Sequence, residues 1–228
     1  MSTERIWALI PALNAARWLG DVIERCRAHC RNVVVVDDGS TDGTVSVAKR
    51  HGAWTVSHRR NFGKGEALKT GFRWLEDQDC AATITLDADG QHDPGDIPRF
   101  LRCYEGLIGE GCRDFIIIGA RLRRRERMPL YRAIPNRVGE FFISLAARRH
   151  ITDTQSGYRL YTREIMQGIR CGARGFDMEA EMLIKASRRG ARIEEIPIEA
   201  IYGENYHTHF RPVLDFYHIS IVVLRNIL

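Results

Sequence analysis

The chain of 228 residues has no apolar run approaching the roughly 20 residues that a membrane-spanning helix needs, although 44% of its residues are hydrophobic. It also shows no secretory leader. Met1 to Arg5 is polar and the apolar stretch that follows reads as a strand, so the chain is expected to stay in the cytoplasm. The six cysteines, Cys26, Cys30, Cys80, Cys103, Cys112 and Cys171, form no Cys-x-x-Cys pair and no zinc spacing, which argues for packed, reduced thiols. No internal repeat or low-complexity linker divides the chain, and a chain of this length buries a full core without staples. A phosphate loop is missing as well. The Gly63-Lys64 pair has His58 where a Walker loop has its first glycine and Gly65 where it has Ser or Thr, and Leu68 stands at the third glycine of a dinucleotide fingerprint.

What is present is an alternation of strand and helix. Arg5–Leu13 reads as a strand, Ala15–Cys30 as an amphipathic helix, Val33–Asp37 as a strand, and Asp42–His51 as a helix closed by Gly52. Ala53–Ser57 and Ala81–Leu86 continue a sheet around a helix from about Lys64 to Glu76, and Phe115–Gly119 is another buried strand. Arg121–Pro135 is charged and irregular, Asn136–Arg149 resumes a helical period, and Tyr158–Tyr161 is a short strand. Residues 177–189 form a helix ended by Gly190, and Arg192–Tyr202 returns to strand character. This order predicts an α/β domain with a mostly parallel central sheet, Rossmann-like and flanked by helices.

Two of these strands end in acid. Val33–Val36 runs into Asp37-Asp38-Gly39-Ser40-Thr41-Asp42, and Ala81–Leu86 runs into Asp87-Ala88-Asp89-Gly90-Gln91-His92. Ligands of open α/β sheets bind outside the carboxyl ends of the strands, so both pairs are expected at one crevice. Neighbouring carboxylates repel unless a cation offsets them, and hard divalent ions take oxygen ligands of this kind. Polar turns account for the same residues more blandly: Ser40 or Asp42 caps the next helix, a task for which Asp37 and Asp38 are not needed.

With Ile10-Pro11-Ala12-Leu13-Asn14, Asn61-Phe62-Gly63-Lys64-Gly65-Glu66-Ala67, Leu86-Asp87-Ala88-Asp89-Gly90-Gln91-His92 and Asp153-Thr154-Gln155-Ser156-Gly157-Tyr158-Arg159 in this order, the chain resembles family-2 glycosyltransferases of the GT-A fold. Within them it is similar to the dolichyl- or polyprenyl-phosphate hexosyltransferase branch. The resemblance implies a nucleotide-sugar donor, a polyprenyl-phosphate acceptor, a Mg²⁺ or Mn²⁺ cofactor, inversion at the sugar, and work at the cytoplasmic face of a membrane. It implies that Asp89, assisted by Asp87 and with Gln91 alongside, holds the metal, and that Pro11, Asn14, Asp37, Asp38 and Lys64 contact the donor. Arg121 and Arg132 resemble arginines that meet phosphate oxygens, and Tyr202-Gly203-Glu204 resembles the element that precedes a phosphate-contacting basic residue, although the usual Ser-Lys is absent and His207, His209 and Arg211 stand downstream instead. Leu13 and Ala15 replace a Tyr and Glu common in relatives, which leaves the donor base open between uridine and guanosine.

Asp177 and Glu179 are expected site residues. A hydroxyl acceptor would need one of them as a base, whereas a phosphate acceptor is already an anion. Asp177 also suits the positive end of a helix, and its spacing puts it on the face of Glu181, with Glu179 pointing elsewhere. Seven arginines between Arg121 and Arg137 form either a solvated loop or a surface for anionic headgroups. The net charge of +5 also fits nucleic-acid binding, but no nucleic-acid motif accompanies it. Residues 1–211 read as the catalytic domain. Residues 212–228 read as an apolar helix that a core, an oligomer partner or an anionic membrane surface must cover.

Overall fold

The computed structural model describes residues 3–121, 130–173, 175 and 177–198, with the backbone alone for residue 3 and residues 130–138. The expected apolar helix 212–228, and with it the expectation of oligomerisation or membrane contact there, lies outside the described residues. Among the described residues no helix is long and apolar enough to cross a membrane.

The fold is mixed α/β, with seven strands among the described residues: β1 Ile6–Ala12, β2 Asn32–Asp37, β3 Trp54–Ser57, β4 Ala82–Thr85, β5 Phe115–Ala120, β6 Arg159–Thr162 and β7 Arg192–Pro197. They lie side by side in the order β3-β2-β1-β4-β6-β5-β7. Successive side chains of a strand point to opposite faces, and here both faces are covered. Trp7 and Leu9 of β1 join Val34 and Val36 of β2 in one cluster, while Ile6, Ala8 and Ile10 join Val33 and Val35 in the other. That explains the unbroken Val33–Val36 run.

The helices are α1 Leu19–Arg27, α2 Thr44–Arg50, α3 Lys64–Glu76, α4 Ile97–Gly109, α5 Leu130–Ala147, α6 Arg163–Gly168 and α7 Asp177–Arg188. In α1 the buried Leu19, Val22, Ile23 and Cys26 follow the spacing of one helical face. Its start is four residues later than the expected Ala15, because Ala15 and Ala16 donate instead to Thr44 Oγ1 (2.8 Å) and Asp42 Oδ2 (3.1 Å) across the crevice edge. α4 and α6 have no counterpart in the sequence reading. Pro98, Gly106 and Gly109 hide the period of α4, yet Pro within a helix's first turn removes no needed donor, and Ile97, Phe100, Tyr104 and Leu107 carry the buried face. α5 begins at Leu130 rather than Asn136 and runs through Pro135, which forfeits one backbone hydrogen bond without ending the helix. β7 spans Arg192–Pro197, and residues 199–202 of the expected strand lie outside the described residues.

One strand departs from the parallel arrangement. β6 is antiparallel to both neighbours, pairing Arg159 with Thr85 of β4 and with Ile118 of β5. A reversed strand begins where its neighbours end, so the segment 153–158 that feeds β6 lies at the same sheet edge as Leu86–His92 and Arg121.

That edge is closely packed. Gly39, directly after the acids of β2, has φ +76°, and a Cβ there would stand 2.6 Å from Arg60 Cα and 2.8 Å from Asn61 N. Both the left-handed backbone and the approach of another backbone exclude a side chain. Gly39→Ala is therefore expected to destabilise the fold by ~2 kcal/mol or more, read as a lower urea midpoint.

Candidate active site

The β2 acids sit inside the edge. Asp38 is 3% exposed. Its Oδ1 meets His58 Nδ1 at 2.7 Å and accepts from Phe62 N at 2.9 Å, and its Oδ2 accepts from Gly63 N at 2.8 Å. His58 Nε2 in turn meets Thr70 Oγ1 at 2.9 Å. Asp38 thus ties the strand to the Asn61-Phe62-Gly63 entry of α3. Asp37 is not used at the start of α2, where Asp42 Oδ1 accepts from Thr44 N at 2.9 Å; its own Oδ1 accepts from Ser40 N at 3.2 Å in the preceding turn. Asn14, with φ 51°, accepts from Thr41 N at 2.9 Å and donates its own N–H to Ser40 Oγ at 2.8 Å, which joins the ends of β1 and β2. Pro11, in β1 beside Val36, is half-buried.

The β4 acids gather a different set. Lys64 Nζ, from the first turn of α3, lies 2.7 Å from Asp87 Oδ1 and 3.1 Å from Glu179 Oε2 of α7. Burial would lower the Lys64 ammonium, but the two carboxylates override it and raise its pKa. Burial would likewise raise Asp87, but Lys64, helped by His92 and Arg121, holds it down at about 2. Asp89, two residues on, is raised by burial and then by repulsion from Asp87, while its Oδ1 accepts from Gln91 N at 3.0 Å. His92, a residue the sequence reading gave no role, is buried against Tyr158 with ring centroids 5.1 Å apart. Its Nδ1 accepts from Asp87 N at 3.1 Å, which places the proton of the neutral ring on Nε2. Burial, reinforced by Arg121 and Lys64 and opposed by Asp87, lowers its pKa to about 4.

Helical spacing separated Glu179 from Asp177, and the structure does so in favour of Glu179. Glu179 is 5% exposed, reaches Lys64, and leaves its Oε1 without a hydrogen-bond partner among the described residues. Asp177 accepts from Gly175 N at 2.9 Å at the helix end and makes no ion pair with Lys64. Glu181 serves Ala173 N and Lys185. The start of α7 is fixed by Arg159, which is fully buried and donates to the carbonyl oxygens of Ser156 (2.7 Å), Thr154 (2.7 Å) and Glu179 (2.8 Å). Gly157 closes the floor: a Cβ there would stand 2.6 Å from Lys64 Nζ.

Arg121, expected to meet phosphate, is paired with Asp153, Nε to Oδ2 at 2.7 Å and Nη2 to Oδ1 at 2.8 Å. The side chain of Arg132, and Tyr202, His209 and Arg211 altogether, lie outside the described residues.

The donor set suits a hard divalent cation. Asp87 and Asp89 offer carboxylate oxygens and Gln91 an amide oxygen, and the repulsion that raises Asp89 is what a nearby cation would relieve. Among the described residues no three His, Cys, Asp or Glu side chains form a metal group.

The model of the family described as glycosyl transferase family 2 matches residues 7–170. The chain belongs to that family. Similar to this glycosyltransferase is an uncharacterized protein of Methanocaldococcus jannaschii, 31% identical over 90% of this chain and 84% of the relative. A UDP-N-acetylglucosamine–dolichyl-phosphate N-acetylglucosaminyltransferase of Methanococcus voltae is 27% identical over 90% and 88% of the two chains. An undecaprenyl-phosphate mannosyltransferase of Micrococcus luteus is 29% identical over 88% and 85%. Among solved structures, glucosyl-3-phosphoglycerate synthase from Mycobacterium tuberculosis in complex with UDP superposes with a TM-score of 0.73 at 20% identity, covering 98% of this chain and 80% of that one. The same synthase with Mn²⁺, UDP and glucosyl-3-phosphoglycerate has a TM-score of 0.70 at 21% identity, over 99% and 79% of the chains. These likenesses establish the GT-A fold.

The buried groups of this glycosyltransferase make its stability fall in acid through two windows. His92 has a folded pKa of about 4 against 6.5 when unfolded, so the unfolded chain takes up a proton first and stability drops as pH falls from 6.5 toward 4. Asp87, at about 2 against 3.8, adds a second loss below pH 3.8. The losses are on the order of 3 and 2 kcal/mol respectively. Urea unfolding across this pH range is expected to show both, and His92→Asn is expected to abolish the upper window while keeping the lower.

Proposed function

We propose that this glycosyltransferase moves a hexose from a nucleotide sugar to a polyprenyl phosphate with inversion at the anomeric carbon, bound peripherally at the cytoplasmic face of an anionic membrane. The observation that carries this reading is the cluster of Lys64, Asp87, Glu179 and Asp89 at the carboxyl edge of the sheet, in a chain whose similar proteins include transferases named for dolichyl and undecaprenyl phosphate. The donor is of the UDP-glucose, UDP-N-acetylglucosamine or GDP-mannose type, seated against Pro11, Asn14 and the inner edge built on Asp37 and Asp38.

Asp89, Asp87 and Gln91 would hold Mg²⁺ or Mn²⁺; solved structures of the similar synthase carry either ion with UDP. When bound, the ion supplies Lewis-acid stabilisation of the nucleoside diphosphate as it leaves. The chain's own residues prepare that event. Lys64 keeps Asp87 ionised, His92 pins the Asp87 backbone, and Arg159 fixes the first turn of α7 so that Glu179 faces Lys64. Glu179 keeps its buried Oε1 without a hydrogen-bond partner among the described residues, which suits it to accept from a substrate hydroxyl. The attacking acceptor phosphate is an anion at neutral pH and needs no strong base.

Transfer to a soluble hydroxyl acceptor is the second reading, because Glu179 is buried at the site and would then serve as the base. A panel crossing the three donors with polyprenyl phosphates and soluble glycans decides between them: transfer to prenyl phosphate is expected, and transfer confined to glycans overturns the proposal. Asp89→Ala is expected to abolish transfer in a folded protein, whereas Asp79→Ala is silent. At pH 8, Asp177→Asn and Glu179→Gln are expected to retain turnover, with losses of about one or two decades. Removal of an essential base costs about 10² to 10⁴.

A further inference from the structure

One ion pair at this edge stands apart from the Lys64 cluster. Arg121 directly follows β5, and Asp153 holds it at three points. Besides the Nε and Nη2 contacts, the Arg121 backbone N–H donates to Asp153 Oδ2 at 3.1 Å. Asp153 is held from behind. Glu195 Oε1, on β7, accepts from Asp153 N at 3.2 Å, Thr152 N at 2.9 Å and Thr152 Oγ1 at 2.7 Å. We propose that Asp153, supported by Glu195, is a positioning residue that fixes the Arg121 guanidinium for the acceptor phosphate. The proposal rests on the lipid-phosphate reading above.

Three observations carry it. The Asp153 contacts use the planar fork of the guanidinium, so they set its plane and the directions of its remaining N–H bonds, which a long, flexible side chain cannot do alone. The charge so placed is at the site's edge: Arg121 directly follows β5, at the same end of the sheet where β4 runs into Asp87 and Asp89, since β6 between them is antiparallel to both. The support also spans separate elements. β7 holds the loop before β6, and that loop holds the residue after β5, so the strand order itself places the arginine. Asp153 opens the Asp153–Arg159 segment, and Arg159 at its other end anchors the backbone of Glu179. One loop therefore holds both a cation, Arg121, and the backbone of an acid, Glu179.

The test uses the full chain with a short, detergent-soluble polyprenyl phosphate and reads acceptor KM, donor KM, melting temperature and calorimetric binding of the same phosphate. Asp153→Asn keeps the shape and an acceptor oxygen but loses the charge. It is expected to raise acceptor KM and weaken phosphate binding roughly 10- to 100-fold with donor KM unchanged. Because Asp153 acts through Arg121, the double variant Arg121→Ala/Asp153→Asn is expected to be no worse than Arg121→Ala. A merely structural acid would instead lower the melting temperature, shift both KM values and add to the Arg121 loss. Glu195→Gln, one step further back, is expected to move acceptor KM in the same direction by less, and it carries the test if Asp153→Asn does not fold. If Arg121→Ala leaves acceptor KM unchanged, the phosphate reading of Arg121 fails and the proposal with it. If Arg121→Ala raises acceptor KM while Asp153→Asn or its substitute Glu195→Gln leaves it unchanged or lowers it, or the double variant is additive, the positioning proposal alone is overturned.

Discussion

A strand buried on both faces that ends in two acids faces an electrostatic problem. The low-polarity interior beneath the edge makes each carboxylate costly, and their mutual repulsion adds to the cost. Lys64 answers it for one of them. Set in the first turn of α3, its ammonium bridges Asp87 and Glu179 and keeps Asp87 ionised in spite of burial. Asp89 has no such bridge and remains raised. That asymmetry leaves an edge where a further cation is favourable, and it depends on one lysine held at one spacing.

The reversed β6 makes this possible. Had it run parallel, its entry segment would lie at the opposite edge, and Gly157, Arg159 and Asp153 would be a sheet's width from Asp87. Because it is antiparallel to β4 and β5, its first residues arrive where theirs end. Gly157 lets Lys64 pass close to the backbone, and Arg159 ties three carbonyls, one of them in α7, to the strand. Such a buried guanidinium, satisfied by carbonyls rather than by a carboxylate, rigidifies the junction without cancelling the site's charge.

The same edge shows how one residue type takes different parts. Asp38 and Asp87 both close a buried strand. Asp38 meets two backbone N–H groups and a histidine and so organises a loop, whereas Asp87 meets a lysine and faces the crevice. Asp177 and Glu179 divide likewise, the first satisfying a backbone N–H at the helix end and the second buried against Lys64.

The sequence alone determined the α/β class, most of the strands and the location of the acids, because hydrophobic period and acid-ended runs are local signals. It also placed α3 at its observed bounds, since the residues Gly63 to Glu76 carry both the start and the apolar face of that helix. α4 was hidden because Pro98 and two glycines obscure a period that only its packing against the sheet makes decisive. Tertiary structure alone decided which carboxylates are neighbours. Lys64 and Glu179, or Arg121 and Asp153, are far apart along the chain, and their pairing follows from strand order and the reversal of β6. His92 belongs with them: its sequence neighbours mark a polar turn, and only the fold buries its ring against Tyr158 and turns it into the support for Asp87.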